Sequence, residues 1–164
     1  MSALKSIEIL LADDNPNMRA IVMAMLKSIG VTRLREVDDG ASALEALRQA
    51  PADIAIVDFR MLPLDGVSFT RMIRTAPDSP NPYLPIIMMT GHSDRRRVVE
   101  ARDAGVTEFV AKPVTAQTLL ARIQSIILKP RPFIRTDDYF GPDRRRTVRP
   151  DYAGPYRRST DPKD

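Results

Sequence analysis

The sequence predicts an α/β protein, a five-stranded, mostly parallel, doubly wound sheet followed by a disordered basic tail. Three observations carry this. Short apolar runs alternate along the chain with longer segments whose apolar residues recur at helical spacing. The central run, Asp53-Ile54-Ala55-Ile56-Val57-Asp58-Phe59, holds four apolar residues between two acids, too few for a helix and suited to a strand buried on both faces. After Lys129 aliphatic residues almost vanish and prolines and arginines replace them.

Each element has its own justification. Residues 6–12 (SIEILLA) read as a strand that ends in Asp13-Asp14. Asn15-Pro16 caps a helix in which Met18, Ile21, Val22, Met25, Leu26 and Ile29 share a face, and Gly30 stops it. Residues 33–37 make a second strand, and Gly40 leads into a helix over 41–49 with Leu44 and Leu47 inward. Pro51 precedes the third strand, 53–58, and Pro63 and Gly66 break the loop before a helix over 66–76. The stretch PDSPNPYLP cannot lie inside a helix. Residues 84–89 form the fourth strand, and a helix over 94–104 ends at Gly105. Residues 106–111 form the fifth strand, and Lys112-Pro113 leads to an amphipathic helix over 115–128.

The 164 residues read as one domain, 1–129, and a tail, 130–164. An apolar fraction of 43% supplies a core, and no apolar run reaches the roughly 18 residues that would insert into a membrane. The start carries one Lys before a short apolar run that ends on two acids, unlike a signal peptide, so a cytoplasmic location is expected. Without cysteine there is neither a disulfide nor a thiolate metal site. The net charge of +4 is uneven: residues 1–129 hold 16 Lys/Arg against 15 Asp/Glu, whereas 130–164 hold nine against six.

In a doubly wound sheet the carboxyl ends of all strands meet at one edge, where such folds place their chemistry. Asp13 and Asp14, Asp58, Thr90 and Lys112 follow strands one, three, four and five. Carboxylates packed together repel unless a cation joins them, and a hard divalent ion such as Mg²⁺ suits oxygen ligands. Lys112 and Thr90 then add a fixed positive charge and a hydroxyl donor beside Asp58, equipment for stabilising a phosphoryl group on a carboxylate.

This ordered set closely resembles the receiver domain of two-component response regulators, a flavodoxin-like fold, over about residues 5–129. The resemblance implies that Asp58 is the phosphoacceptor and that Asp13, Asp14 and Asp58 hold Mg²⁺ with the backbone carbonyl of Arg60. It implies that Thr90 and Phe109 are the switch pair, that Arg60 and His92 tune phosphoryl lifetime, and that a sensor histidine kinase or phosphotransfer protein is the donor. Such a module is not an enzyme in its own right beyond its own phosphoryl transfer and hydrolysis.

The tail contains a degenerate repeat, D-Y-x-G-P-x-R-R, at 138–145 and again at 151–158. It cannot bury enough to fold alone, and its prolines rule out a helix-turn-helix, so DNA is not the expected partner. Arginines offer bidentate donors to guanine and phosphate, tyrosines offer stacking faces, and Asp161 after Arg158 offers an acceptor for guanine N–H groups. Here the chain resembles the CheY-like cyclic-di-GMP effectors, single receivers with an arginine-rich tail. That resemblance implies a cyclic-di-GMP site from Tyr139, Asp143, Arg144, Arg145, Arg146, Arg149, Tyr152, Tyr156, Arg157, Arg158 and Asp161, and the flagellar motor switch as a protein partner. Two other readings compete: a conventional phospho-aspartate regulator with a non-binding tail, and a basic tail that binds nucleic acid without sequence preference.

Overall fold

The computed structural model describes residues 2–144 of the chain. Arg145, Arg146, Arg149, Tyr152, Tyr156, Arg157, Arg158 and Asp161 lie outside the described residues.

A short helix α1 (Ser2–Ser6) precedes strand β1 (Glu8–Ala12). Three helix–strand alternations follow: α2 (Pro16–Ser28), β2 (Arg33–Val37), α3 (Gly40–Gln49), β3 (Ile54–Asp58), α4 (Gly66–Thr75) and β4 (Ile86–Thr90). A 3-10 turn at His92–Arg97 then runs into α5 (Val98–Ala104), followed by β5 (Glu108–Ala111) and α6 (Ala116–Leu128). The five strands form one parallel sheet in the order β2-β1-β3-β4-β5. This is the doubly wound architecture that the alternation predicts.

Helices cover both faces of the sheet, which is why its central strands lack polar alternation. Ile9, Leu11, Ile54, Ile56, Ile87 and Met89 point to the α2–α6 side. Leu10, Ala12, Ala55, Val57, Ile86 and Met88 point to the side of α3, α4 and α5. Helix starts are capped as their sequences suggest: Asn15, Asp39, Asp65 and Thr115 each accept backbone N–H bonds from the first turn.

The expected boundary at residue 130 needs correction. The ordered fold continues to Arg144 through an antiparallel hairpin, β6 (Phe133–Arg135) and β7 (Phe140–Pro142), paired Phe133 to Pro142 and Arg135 to Phe140. The physical reason is that the hairpin does not fold on its own apolar content. Phe133 and Phe140 pack on Tyr83 of the α/β domain, with centroids 5.1 and 5.4 Å away. Tyr139 is buried, and its hydroxyl donates to the Pro142 carbonyl at 2.7 Å. Arg144 stacks on the Tyr139 ring and pairs with Asp103 of α5.

Beneath the hairpin lies Arg74, 3% exposed and without a carboxylate partner among the described residues. Its guanidinium donates twice to the Gly105 carbonyl and once to that of Pro82, and it lies under the Phe133 ring at 5.0 Å. Burial lowers its pKa to about 10, which still leaves it charged at neutral pH.

Candidate functional site

The sheet topology brings the ends of β1, β3 and β5 to one edge, and the residues just past them form the site. Asp13 and Asp14 follow β1, Asp58 ends β3, and Lys112 follows β5. Carboxylate oxygens of Asp13, Asp14 and Asp58 all lie within 4.8 Å of one another. The Lys112 ammonium stands 2.6 Å from Asp58 Oδ1, and the Lys112 backbone N–H donates to the Thr90 carbonyl at 2.8 Å. Gly66 lets helix α4 begin against the Asp58 carbonyl, because a Cβ there would collide with that oxygen.

Burial dominates the electrostatics. The pKa of Asp58 is raised to about 6, first by desolvation and then by its neighbours Asp13 and Asp14, against the pull of Lys112. Asp13 is raised too, again chiefly by burial, although Asn15 N–H donates to its Oδ1. Its other oxygen, Oδ2, is buried without a hydrogen-bond partner among the described residues. Three clustered carboxylates with an orphaned buried oxygen fit a hard divalent cation with oxygen ligands. A cleft of about 540 Å³ opens over the cluster and is lined by Asp14, Asp58, Phe59, Arg60, Arg97 and Lys112, among others.

A pH dependence follows for the metal-free protein. Asp58 is titrated near pH 6 when folded and near 3.8 when unfolded. Its contribution to stability is therefore full below pH 3.8 and is lost as pH rises through about 6. A two-unit shift corresponds to about 3 kcal/mol. Mg²⁺ at roughly ten times its dissociation constant adds about 1.4 kcal/mol to the folded state. The melting temperature should thus rise with Mg²⁺ above neutrality and barely respond near pH 5, where Asp58 is protonated. An equal Mg²⁺ shift at both pH values would mean that the cation binds elsewhere.

The remaining expected residues divide. Thr90 ends β4 beside the cluster and is nearly buried. Phe109 is half-buried on β5, next to Met88 of β4, and packs against the core on the α3–α5 side. It lines a second cleft of about 310 Å³ whose far wall is Pro142, Asp143 and Arg144 of the hairpin. His92 is exposed at the head of the 3-10 turn. Tyr139, Asp143 and Arg144 are not brought to the Asp58 cleft, and Tyr139 and Arg144 are engaged in packing the hairpin onto the α/β domain.

Asp94 was not legible as a site residue. It is 2% exposed, accepts the Gly91 N–H at 2.8 Å and the Arg60 Nε–H at 2.7 Å, and so ties the segment after β3 to the segment after β4. The available signal was an acid three residues past Gly91, where a first-turn side chain reaches back to its cap.

Comparison with known proteins agrees with this geometry. The response regulator receiver domain family matches residues 9–124. The chain is similar to the chemotaxis protein CheY of Pseudomonas aeruginosa, 36% identical over 119 residues that make up 73% of this chain and 94% of that protein. It is also similar to CheY-3 of Vibrio cholerae, 34% identical over 122 residues, 74% of this chain and 92% of the relative. Among solved structures, the receiver domain of the sensor histidine kinase PA1611 from Pseudomonas aeruginosa carries a magnesium ion in its active-site cleft. It superposes with a TM-score of 0.67 at 33% identity, over 75% of this chain and 98% of that one. CheY4 of Vibrio cholerae gives a TM-score of 0.65 at 28% identity, over 73% and 98% of the two chains. The fold, the acidic strand-end cluster and these relatives together place the chain in the CheY-like response regulator receiver family.

Proposed function

We propose that the chain is a single-receiver response regulator switched by phosphoryl transfer to Asp58. The observation that carries this is the buried Asp58 carboxylate clustered with those of Asp13 and Asp14 and paired with the Lys112 ammonium 2.6 Å away. Asp13, Asp14 and Asp58, with the Arg60 carbonyl, would hold Mg²⁺, whose charge would offset that of a phosphoryl group on Asp58. Lys112 pairs with its oxygens, and Thr90 and Phe109 report its arrival to the partner face. The phosphoryl donor is a histidine kinase or a phosphotransfer protein. Incubation with a small acyl phosphate should label the full chain only when Mg²⁺ is present. Labelling that persists in excess chelator would reject the metal's role.

A second reading concerns the arginine-rich end. The repeat of D-Y-x-G-P-x-R-R supports capture of cyclic-di-GMP, which would redirect the receiver toward a partner such as the flagellar motor switch. The names of the chemotaxis relatives support the choice of partner. Because Tyr139 and Arg144 of the first copy pack on the receiver, Arg145 and the second copy carry the larger share of the recognition. Calorimetric titration of cyclic-di-GMP into the full chain should show saturable binding that Arg145→Ala with Arg158→Ala removes. Unchanged affinity in that variant, or no heat in the parent, leaves the phospho-aspartate switch as the whole function.

A further inference from the structure

The two copies of D-Y-x-G-P-x-R-R, at 138–145 and 151–158, agree at six positions and differ at two. In the first copy the shared positions that the structure describes hold the hairpin in shape and in place. Asp138 accepts from Thr136 Oγ1 at 3.1 Å across the turn. Tyr139 is buried and donates to the carbonyl of Pro142, which itself pairs with Phe133. Position 141 has to be glycine, because a Cβ there would come within 2.7 Å of the Tyr139 hydroxyl and 3.2 Å of the Gly105 Cα. Arg144 stacks on Tyr139 and reaches Asp103 of α5. What the two copies share is therefore the set of residues that fits the first copy to the α/β domain.

The two differing positions fit the same picture. At 143 the N–H donates to the Pro132 carbonyl at 2.7 Å and the carbonyl accepts from Arg131 Nη1 at 3.0 Å, bonds that any residue can make. Asp143 also borders the cleft of about 310 Å³ lined by Val98, Val106 and Phe109, which gives room for the ring of Tyr156. At 140 the second copy has Ala153, without the ring that Phe140 lays on Tyr83 and Phe133. We propose that β6, Gly105 and Asp103 form a docking seat for this motif, and that residues 151–158 are its second occupant, in exchange with 138–145. Gly154 then meets Gly105, and Arg157 meets Asp103. The loop after Arg135 grows from residues 136–139 to residues 136–152. Closing a loop about four times longer is about tenfold less probable, and the Phe140 ring is lost as well, so the first copy is the resident one. Exchange keeps the seat filled while it frees the tyrosine and arginines of the other copy. It needs no nucleotide.

The test uses the full chain, which has no cysteine of its own. Asp103→Cys with Arg157→Cys puts one thiol on the seat and one on the second copy. Under mild oxidation a disulfide within one chain, read by mass spectrometry, reports that the second copy is seated. Gly141→Val evicts the first copy through the collision with Tyr139 and Gly105, and should speed that disulfide about tenfold. Adding Gly154→Val, the same collision in the second copy, should undo the gain. Tyr139→Ala, followed by Tyr152→Ala, gives the same two readings should a valine variant misfold. Thr147→Cys in place of Arg157→Cys lies nearer to Asp103 along the chain but outside the motif, and its rate should not rise with Gly141→Val. Equal rates with and without eviction of the first copy overturn the proposal. A rise that Gly154→Val leaves intact, or that Thr147→Cys shares, overturns it too, because it would report loose tethering. So does a disulfide formed only between chains.

Discussion

Asp58→Asn should abolish acyl-phosphate labelling while raising the melting temperature of the metal-free protein near pH 8. The first effect is chemical. An amide nitrogen or oxygen is a far poorer nucleophile than a carboxylate and yields no stable acyl phosphate, so incorporation should fall to the background set by other acids. The second effect is electrostatic. The folded protein holds Asp58 as a carboxylate against burial and two neighbouring acids, which raise its pKa to about 6. The neutral amide escapes that cost, and a gain of roughly 1–3 kcal/mol remains after the Lys112 pair is lost. Mass spectrometry for the label and calorimetry for the melt check both. A variant that still labels stoichiometrically would move the phosphoacceptor elsewhere, and a destabilised one would mean that the Lys112 pair outweighs the repulsion.

Arg74→Ala should be among the most damaging single changes in the chain. It leaves the Gly105 and Pro82 carbonyls without their donor and opens a void beneath Phe133. Losing a buried hydrogen-bonded group together with its packing costs about 3–5 kcal/mol. At about 2–4 °C per kcal/mol this lowers the melting temperature by roughly 10 °C. The hairpin should also loosen, since Phe133 rests on the guanidinium, and limited trypsin digestion should then cut at Arg135 faster than in the parent. Arg74→Met, which keeps the apolar stem, should recover part of the stability but not the carbonyl bonds. A loss below about 1 kcal/mol in Arg74→Ala would show that water reaches those carbonyls and that the hairpin is held by its rings alone.

The strand ends were readable because their chemistry is written locally. An apolar run that stops on Asp58, or on Thr90-Gly91, or before Lys112-Pro113, needs no tertiary information to be recognised. The fold followed from the same runs, and element ends shifted by two residues at most except at α5, which begins four residues late. The hairpin was not readable from aliphatic content. What buries it is rings and arginine stems lying against Tyr83, Arg74 and Asp103, each distant in sequence from the residue it meets. Helix α1 escaped notice because five residues are too few to show a period, although Leu4 is buried. The helix expected over 94–104 begins as a 3-10 turn, where Asp94 is spent on Gly91 and Arg60.

Gly105 closes α5 at a φ of +111°, and a Cβ at Gly141 would come within 3.2 Å of the Gly105 Cα. Two backbones meet there with no side chain between them. Asparagine also tolerates a left-handed helix end, so a receiver could exchange Gly105 for it and keep its own helix intact. Such a receiver would hold this appendage less well, because a side chain at 105 would press on Arg74, on which Phe133 of the hairpin rests. The right to wear the hairpin is thus decided inside the receiver, at a helix end that serves no part of the phosphoryl site, and transplanting residues 130–144 onto another receiver would require moving this glycine with them.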